Sequence, residues 1–219
     1  MTARGFVEDF RNWSRIPALE RFIRESPAAA IAAQLTGSDT IRLCHDHVLV
    51  KEPGTRQPTP WHQDQPYYDV DGHQNTSMWL PVDPVPRSAT LEFAAGSQRG
   101  PWYMPRTFLD GEAKWFPEGS LEELPDFEAD PARWPILAWE LEPGDAVFFH
   151  MLTVHRAGGV EGPDRRRVLS VRMLGDDMVS APRPWTTSPP FGDVDPPLEA
   201  GAPLDRDVFP ILWECDECR

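Results

Sequence analysis

The tetrapeptide Trp61-His62-Gln63-Asp64 holds the residues whose types and spacing most directly suggest chemistry. In an extended segment, side chains at i and i+2 point to one face, so His62 and Asp64 can offer an imidazole nitrogen and a carboxylate oxygen to the same ion. An H-x-D pair alone is a weak signal, because such pairs also arise as surface ion pairs. Two later histidines compete for the place of a third ligand. His150 ends the apolar run Ala146-Val147-Phe148-Phe149, where a hydrogen-bonded core histidine is the commoner outcome, whereas His155 precedes the small-residue turn Arg156-Ala157-Gly158-Gly159. Eleven residues beyond His155 stands Arg166, at the head of the alternating run RRVLSVRM. Two His and one carboxylate with open positions make the facial triad of non-haem Fe(II) oxygenases, and a nearby guanidinium suits the distal carboxylate of a 2-oxo acid.

With these residues in place, the chain resembles the phytanoyl-CoA dioxygenase family of Fe(II)/2-oxoglutarate-dependent oxygenases. The likeness runs from about Ser26 to the tail. It is carried by VLVKEPGTRQPTPWHQDQPYY, by MWLPVDPVPRSATLEFAAGSQRG, by the distal HRAGG and by RRRVLSVRMLGDD, in the family's order. The resemblance implies a double-stranded β-helix (jelly-roll, cupin-like) fold with His62, Asp64 and His155 as iron ligands. It also implies Arg166 as partner of the 2-oxoglutarate C5 carboxylate, with Trp79 near the cosubstrate. The implied cofactors are Fe(II), 2-oxoglutarate and O2, with ascorbate admitted as an accessory reductant. The implied reaction is hydroxylation of an aliphatic C–H bond in a small-molecule metabolite, with 2-oxoglutarate decarboxylated to succinate. Halogenating enzymes of similar pattern replace the carboxylate with a small residue, so Asp64 favours oxidation. Within the run Arg165-Arg166-Arg167, alternation puts Arg166 on the side of Val168 and Ser170 and the spacing from His155 selects it, with Arg167 second. Two positions depart from the family: Ala157 stands where some relatives have a cosubstrate-binding Ser, and Gly96-Ser97-Gln98 replaces the frequent G-S-H. The alternative reading is a non-catalytic metal-binding β-barrel that has lost turnover.

The elements that must position these residues are mainly β. The first forty residues read as helical packing elements: an amphipathic turn or two at PALERFIRE, then a helix opened by Ser26-Pro27 and stopped by Gly37. From Thr40 the period changes to alternation. TIRLCHDHVLV, TSMWLPV, TLEFAAG, ILAWEL, DAVFFHM and RRVLSVRML read as short strands between Pro and Gly turns. His45, His47, Leu49 and Lys51 share one strand face and either line the cavity or, for His45 and Lys51, sit at a solvent-facing edge. Tyr67 and Tyr68 either shape the substrate pocket or pack in the core. A long segment, about 97–135, lacks periodicity, and its aromatics Trp102, Tyr103, Phe108, Trp115 and Phe116 suit a lid. One domain over 1–219 is expected: a helical segment to about 39, a β core over 40–180 and a C-terminal wrap over 181–219 held by Phe209, Leu212 and Trp213.

Composition narrows the partners. The 219 residues include 35 acidic against 21 basic side chains, a formal charge of −14, which argues against nucleic acid and anionic membranes. Nine Trp and eleven Phe indicate a chain that folds despite 25 prolines. No apolar run approaches the roughly 18 residues of a membrane span, and MTARGFVEDFRNW has no apolar signal core, so a cytoplasmic protein acting on a small molecule is expected. Cys215 and Cys218 form a C-x-x-C without a second pair to complete a zinc site.

Overall fold

The computed structural model describes residues 5–105, 116–191, 194 and 196–215. The chain opens with β1 (Phe6–Phe10), α1 (Pro17–Glu25), α2 (Ala28–Thr36) and the long strand β2 (Thr40–Lys51). It continues through β3 (Thr59–His62), β4 (Val70–Asp71), β5 (Asn75–Pro81) and β6 (Leu91–Ala94). The remaining strands are β7 (Ile136–Ala138), β8 (Val147–Phe149), β9 (His155–Ala157), β10 (Arg166–Leu174), β11 (Val179–Ser180) and β12 (Ile211–Glu214). A major antiparallel sheet runs β1-β2-β10-β5-β8, with β12 also on β2, and a minor sheet runs β3-β9-β6-β7. The fold is the expected jelly-roll, mainly β with two helices, and a cavity lined from both sheets lies between them.

The pleat of β10 decides what faces that cavity. Arg166, Val168, Ser170 and Arg172 alternate inward, opposite Lys51, Leu49, His47 and His45 of β2 and beside Pro81, Trp79 and Ser77 of β5. The register slips between Arg172 and Met173, so Cys44 is passed over in the ladder. This bulge reverses the facing of β2. Ile41 and Leu43 before it turn outward against Ile23, Ala28, Ala29, Ala32 and Ala33 of the helices, together with Met78, Leu169, Val171 and Met173. The alanines let α2 lie close to the sheet, and Gly37 ends it at φ 69°, a left-handed conformation that glycine adopts without a Cβ penalty. Pro27 rather than Ser26 occupies the N-cap of α2, and Ser26 instead closes α1, donating its N–H to the Phe22 carbonyl.

Three features differ from the sequence reading. The first forty residues contain a strand as well as helices: β1 pairs with β2 from Phe6↔Lys51 to Phe10↔His47. Its centre is exposed, so FVEDF shows no clear period, and edge pairing to β2 is what makes it a strand. The carboxylate of buried Asp46, on the outward face of β2, then accepts the N–H groups of Asn12 and Trp13 and closes the turn that follows β1. The C-terminal wrap also ends in a strand, β12, on Thr40–Arg42 of β2, where Leu212 and Trp213 cover the helix-side core and Phe209 is buried nearby. Finally, of the two placements open to Lys51 and His45, the solvent-facing edge is the one that fails, since both are buried. Phe108, Trp115 and Cys218 lie outside the described residues. Among the described residues no helix is long and apolar enough to cross a membrane.

Leu43 is fully buried and Leu35, on the outer side of α2, is 62% exposed. Leu43→Ala is expected to lower stability to urea by about 2–5 kcal/mol, and Leu35→Ala by no more than about 0.5 kcal/mol.

Candidate metal centre

The structure brings His62, Asp64 and His155 together. His62 ends β3, His155 begins β9, and the two are direct partners across the minor sheet. Asp64 follows β3 by two residues and returns to the same face. One donor atom from each residue lies within 4.8 Å of the others, and Asp64 Oδ1 is 3.8 Å from the Nε2 atoms of both histidines. His62 Nδ1 is 2.9 Å from the Pro60 carbonyl and His155 Nδ1 is 2.9 Å from the Thr153 carbonyl. A carbonyl only accepts, so each Nδ1 carries the proton and each Nε2 turns its lone pair toward Asp64. Outer hydrogen bonds of this kind fix tautomer and ring orientation in metal-binding histidines. Two imidazole nitrogens and one carboxylate oxygen fit a divalent first-row metal such as Fe(II). His150, the competing histidine, stands apart: its Nε2 donates to the His73 carbonyl at 3.0 Å and its Nδ1 accepts the Leu152 N–H.

Residues flanking the ligands hold them to the rest of the fold. Fully buried Gln63 donates to the Leu152 carbonyl at 2.9 Å and the Pro101 carbonyl at 3.2 Å, and accepts the Tyr103 N–H at 2.8 Å. It thereby ties the H-Q-D segment both to the turn before His155 and to the root of the long 97–135 segment. The Asp64 N–H reaches the Met151 carbonyl at 2.8 Å, and the Met151 N–H reaches Asn75 Oδ1 at 2.9 Å. Ser97, where the family's turn departs at the next residue, accepts the Val154 N–H just ahead of His155. Phe127, fully buried, packs the described part of the long segment against Tyr103, Val154 and Trp61.

Burial alone would raise the Asp64 carboxyl. The guanidinium of Arg172 3.1 Å away and the Ser77 hydroxyl outweigh it and hold this acid well below the usual carboxylate range. Burial, reinforced by the neighbouring His62, pushes His155 down to about 3, so its imidazole is neutral and able to ligate at neutral pH. Arg172 and Ser77 were not singled out in the sequence. The alternation that selects Arg166 places Arg172 on the same face six residues on, so the signal was present in RRVLSVRM.

A cavity of about 160 Å3 extends from the triad between the sheets, lined by His47, Leu49, Trp79, Leu91, Phe149 and Ala157 among others, with Arg166 also at its wall. An apolar cavity of about 150 Å3 accommodates a molecule the size of benzene, so this one suits a small acid. Arg166 is buried, donates to the Ala89 and Gly158 carbonyls, and lies with its guanidinium 5.6 Å from the centre of the Trp79 ring. Burial lowers its pKa to about 10, and its Nε has no hydrogen-bond partner among the described residues. Lys51 reaches the same Gly158 carbonyl at 3.0 Å. A Cβ on Gly158 would run into the Ser88 carbonyl, so glycine is what permits this close approach. Arg167 instead points outward and pairs with Asp83 at 2.6 Å. Ala157 lines the cavity without a hydroxyl. Tyr67 and Tyr68 both line it as well, and Tyr67 meets Phe116 edge-on at 5.5 Å.

Fold and site thus define a jelly-roll protein with a His/Asp/His candidate metal centre between its two sheets. The sequence model of the phytanoyl-CoA dioxygenase (PhyH) family matches residues 1–168, and the chain belongs to that family. A probable phytanoyl-CoA dioxygenase of Caenorhabditis elegans is 24% identical over 183 residues, covering 78% of this chain and 54% of that protein. The chain therefore spans about half the length of this curated relative. Similar solved structures include the non-heme alpha ketoglutarate dependent carbocyclase SnoK from nogalamycin biosynthesis, with TM-score 0.70, 23% identity, and coverage of 93% of this chain and 74% of SnoK. The epimerase SnoN in complex with Fe3+, alpha ketoglutarate and nogalamycin RO has TM-score 0.70 and 24% identity, covering 95% of this chain and 78% of SnoN. EvdO2 from Micromonospora carbonacea var. aurantiaca complexed with 2-oxoglutarate has TM-score 0.61 and 24% identity, covering 83% and 73%.

The lowered His155 value has a consequence for stability. Below about pH 6.5 the unfolded chain protonates this histidine while the native side chain stays neutral down to about 3, so stability falls as pH drops through that window. Asp64 acts in the same direction at lower pH, contributing stability above the unfolded carboxyl value that is lost as pH falls into strong acid. Urea unfolding of the metal-free protein from about pH 7 to about pH 5 should show falling stability, to which buried His45, His47 and His150 add in the same direction, and a His155→Gln variant should have a slope shallower by up to about 1.4 kcal/mol per pH unit.

Proposed function

We propose that this chain is an Fe(II)- and 2-oxoglutarate-dependent dioxygenase that hydroxylates an aliphatic C–H bond of a small-molecule metabolite and decarboxylates 2-oxoglutarate to succinate. The observation that carries this reading is the pairing of two features in one cavity. His62, Asp64 and His155 converge with fixed tautomers on the minor-sheet side, and buried Arg166 closes the cavity with carbonyls rather than a carboxylate as its partners. The epimerase bound to Fe3+ and alpha ketoglutarate and the EvdO2 complex with 2-oxoglutarate, both of similar fold, support the cosubstrate.

Bound at the triad, iron with 2-oxoglutarate and O2 would supply oxidative decarboxylation coupled to oxidation of the substrate. The work of the chain itself is positioning. His62, Asp64 and His155 would take one face of a six-coordinate ion and leave three positions, two for the carboxylate and keto oxygens of the 2-oxo acid and one for O2. Arg166 would hold the distal carboxylate and Trp79 would flank the chain between. Leu49, Leu91 and Phe149 keep this stretch apolar and exclude water, so charge contacts inside it are stronger than in solvent.

The substrate approaches on the His62 side, since Asp64 and His155 are buried and His62 is only partly so. Tyr67, Phe116 and Trp185 form a row of aromatic contacts there, at 5.5 and 5.1 Å between successive rings, and suit an apolar or amphipathic molecule. The described part of the long segment carries Glu118, Glu122, Glu123, Asp126, Glu128 and Asp130, which disfavours a polyphosphate carrier such as an acyl-CoA. Similar folds include a carbocyclase and an epimerase, and Asp64 argues against halogenation while leaving hydroxylation to be tested against those related oxidations.

Anaerobic addition of Fe(II) and 2-oxoglutarate should give a visible charge-transfer band, and O2 with a suitable substrate should give succinate. Arg166→Leu should weaken 2-oxoglutarate binding by at least about 2 kcal/mol, on the order of thirtyfold, with metal affinity unchanged. The reading fails if neither band nor iron-dependent succinate is obtained with a broad substrate panel. Turnover of an acyl-CoA with none of the free acid would overturn the preferred substrate class.

A further inference from the structure

We propose that Arg172 is a positioning residue that holds the Asp64 carboxylate with Oδ1 turned toward the metal and Oδ2 turned away from it. The inference rests on the metal-centre reading above but not on the identity of the cosubstrate. The two oxygens of Asp64 have different surroundings. Oδ2 is 3.1 Å from Arg172 Nη2 and accepts the Ser77 hydroxyl at 2.7 Å. Oδ1 makes neither contact and faces the two histidine Nε2 atoms, each 3.8 Å away.

The holder of Oδ2 is itself held. Arg172 lies on the inner face of β10 with Ser77 and His45 as its direct cross-strand partners, and it is 5% exposed. Its Nη1 donates to the Ser170 hydroxyl, which in turn donates to the Met78 carbonyl at 2.7 Å, and the Tyr68 hydroxyl also bonds the guanidinium. A planar guanidinium pinned at several donors presents its remaining edge in one direction, which a flexible ammonium does not. Arg172 comes from the major sheet and Asp64 from the segment just after β3 of the minor one, so the contact sets the carboxylate from across the cavity.

The coordination count makes this matter. A carboxylate bound through both oxygens would take a fourth position of a six-coordinate ion, leaving two where a chelating 2-oxo acid and O2 together need three. With Oδ2 held by Arg172 and Ser77, Oδ1 is the oxygen set toward the histidines, and losing Arg172 loses that orientation while the Ser77 hydroxyl still occupies Oδ2. A guanidinium acting only as a charge would have the opposite effect on metal: placed beside the ligand, it repels a cation, and its removal would tighten binding.

The sign of the change therefore decides the matter. The metal-free wild type, Arg172→Leu and Arg172→Lys would be titrated calorimetrically with Mn(II), and each then loaded anaerobically with Fe(II) and titrated with 2-oxoglutarate by absorbance. Loss of partners that orient a ligand typically costs about 10- to 100-fold in metal affinity. Arg172→Leu should fall in that range and lose most of the 2-oxoglutarate band, and Arg172→Lys, with charge but no fork, should lie between it and wild type. Equal or tighter Mn(II) binding by Arg172→Leu would overturn the proposal. If that variant does not fold, Arg172→Lys decides, and wild-type affinity in it would overturn the proposal equally. A wild type that binds Mn(II) but gives no band with 2-oxoglutarate would sink the proposed function while leaving the role of Arg172 to the metal titrations.

Discussion

A carboxylate buried between two imidazoles and a guanidinium is the contact on which the rest of this structure depends. Isolated, an ionised Asp64 could not be taken out of water without either protonating or costing several kcal/mol. Arg172 offsets its charge, Ser77 satisfies a lone pair, and the two neutral histidines face the other oxygen. Each partner arrives from a different element: Arg172 from β10, Ser77 from β5, His62 from β3 and His155 from β9. The jelly-roll must close, with both sheets in register, before any of them is paired. Removing Arg172 would leave a buried charge uncompensated, so the candidate metal centre and the closure of the sandwich are the same constraint seen from two sides.

Register does the rest. On β10 the inner face carries charge at both ends, Arg166 and Arg172, with Val168 and Ser170 between them. One residue of slip would send both arginines to the helix side and bring Arg167, Leu169, Val171 and Met173 into the cavity. The outer set is held by α2, whose alanines pack on Leu169, Val171 and Met173. The helical layer thus protects the facing of the site without touching it. The bulge at Cys44 serves the same end on β2, letting one strand give Ile41 and Leu43 to the helices and His45, His47, Leu49 and Lys51 to the interior.

Much of this was legible in the sequence, and the reason differs from part to part. His62 and Asp64 were readable because an i, i+2 pair on an extended chain needs no tertiary information to share a face. His155 was not separable from His150 by residue type; its choice came from the family pattern, and the structure shows the physical difference in the paired register with His62. Arg172 was hidden behind a better-known neighbour, although the same alternation exposes it. For Lys51 and His45 the sequence left cavity lining and a solvent-facing edge both open, because burial of a Lys or His depends on what covers the strand, here β1 on one side and β10 on the other. The strands β1 and β12 were missed for a related reason: each is four or five residues long and becomes a strand through pairing to β2 rather than through its own period.

The placement of residues also separates two tasks. Everything that would bind metal and the distal carboxylate lies on a strand or within two residues of one, where packing fixes side chains to the tolerance that coordination demands. The aromatic row beside His62 is built differently: Tyr67, Phe116 and Trp185 come from connecting segments, which vary without disturbing the sheets. Trp185 nevertheless donates its indole N–H to the Pro66 carbonyl at 2.9 Å, and nearby Arg183 clamps the Asp71 carboxylate at 2.6 Å while stacking on Trp102 at 4.7 Å. The connecting segments are therefore tethered to the H-Q-D region, two of them through short polar contacts, so a change there alters what reaches the centre while the centre itself stays set by the sheets. A fold arranged in this way can keep one candidate metal centre and change the molecule that reaches it, because the residues that converge at the centre and the surface beside it rest on different parts of the chain.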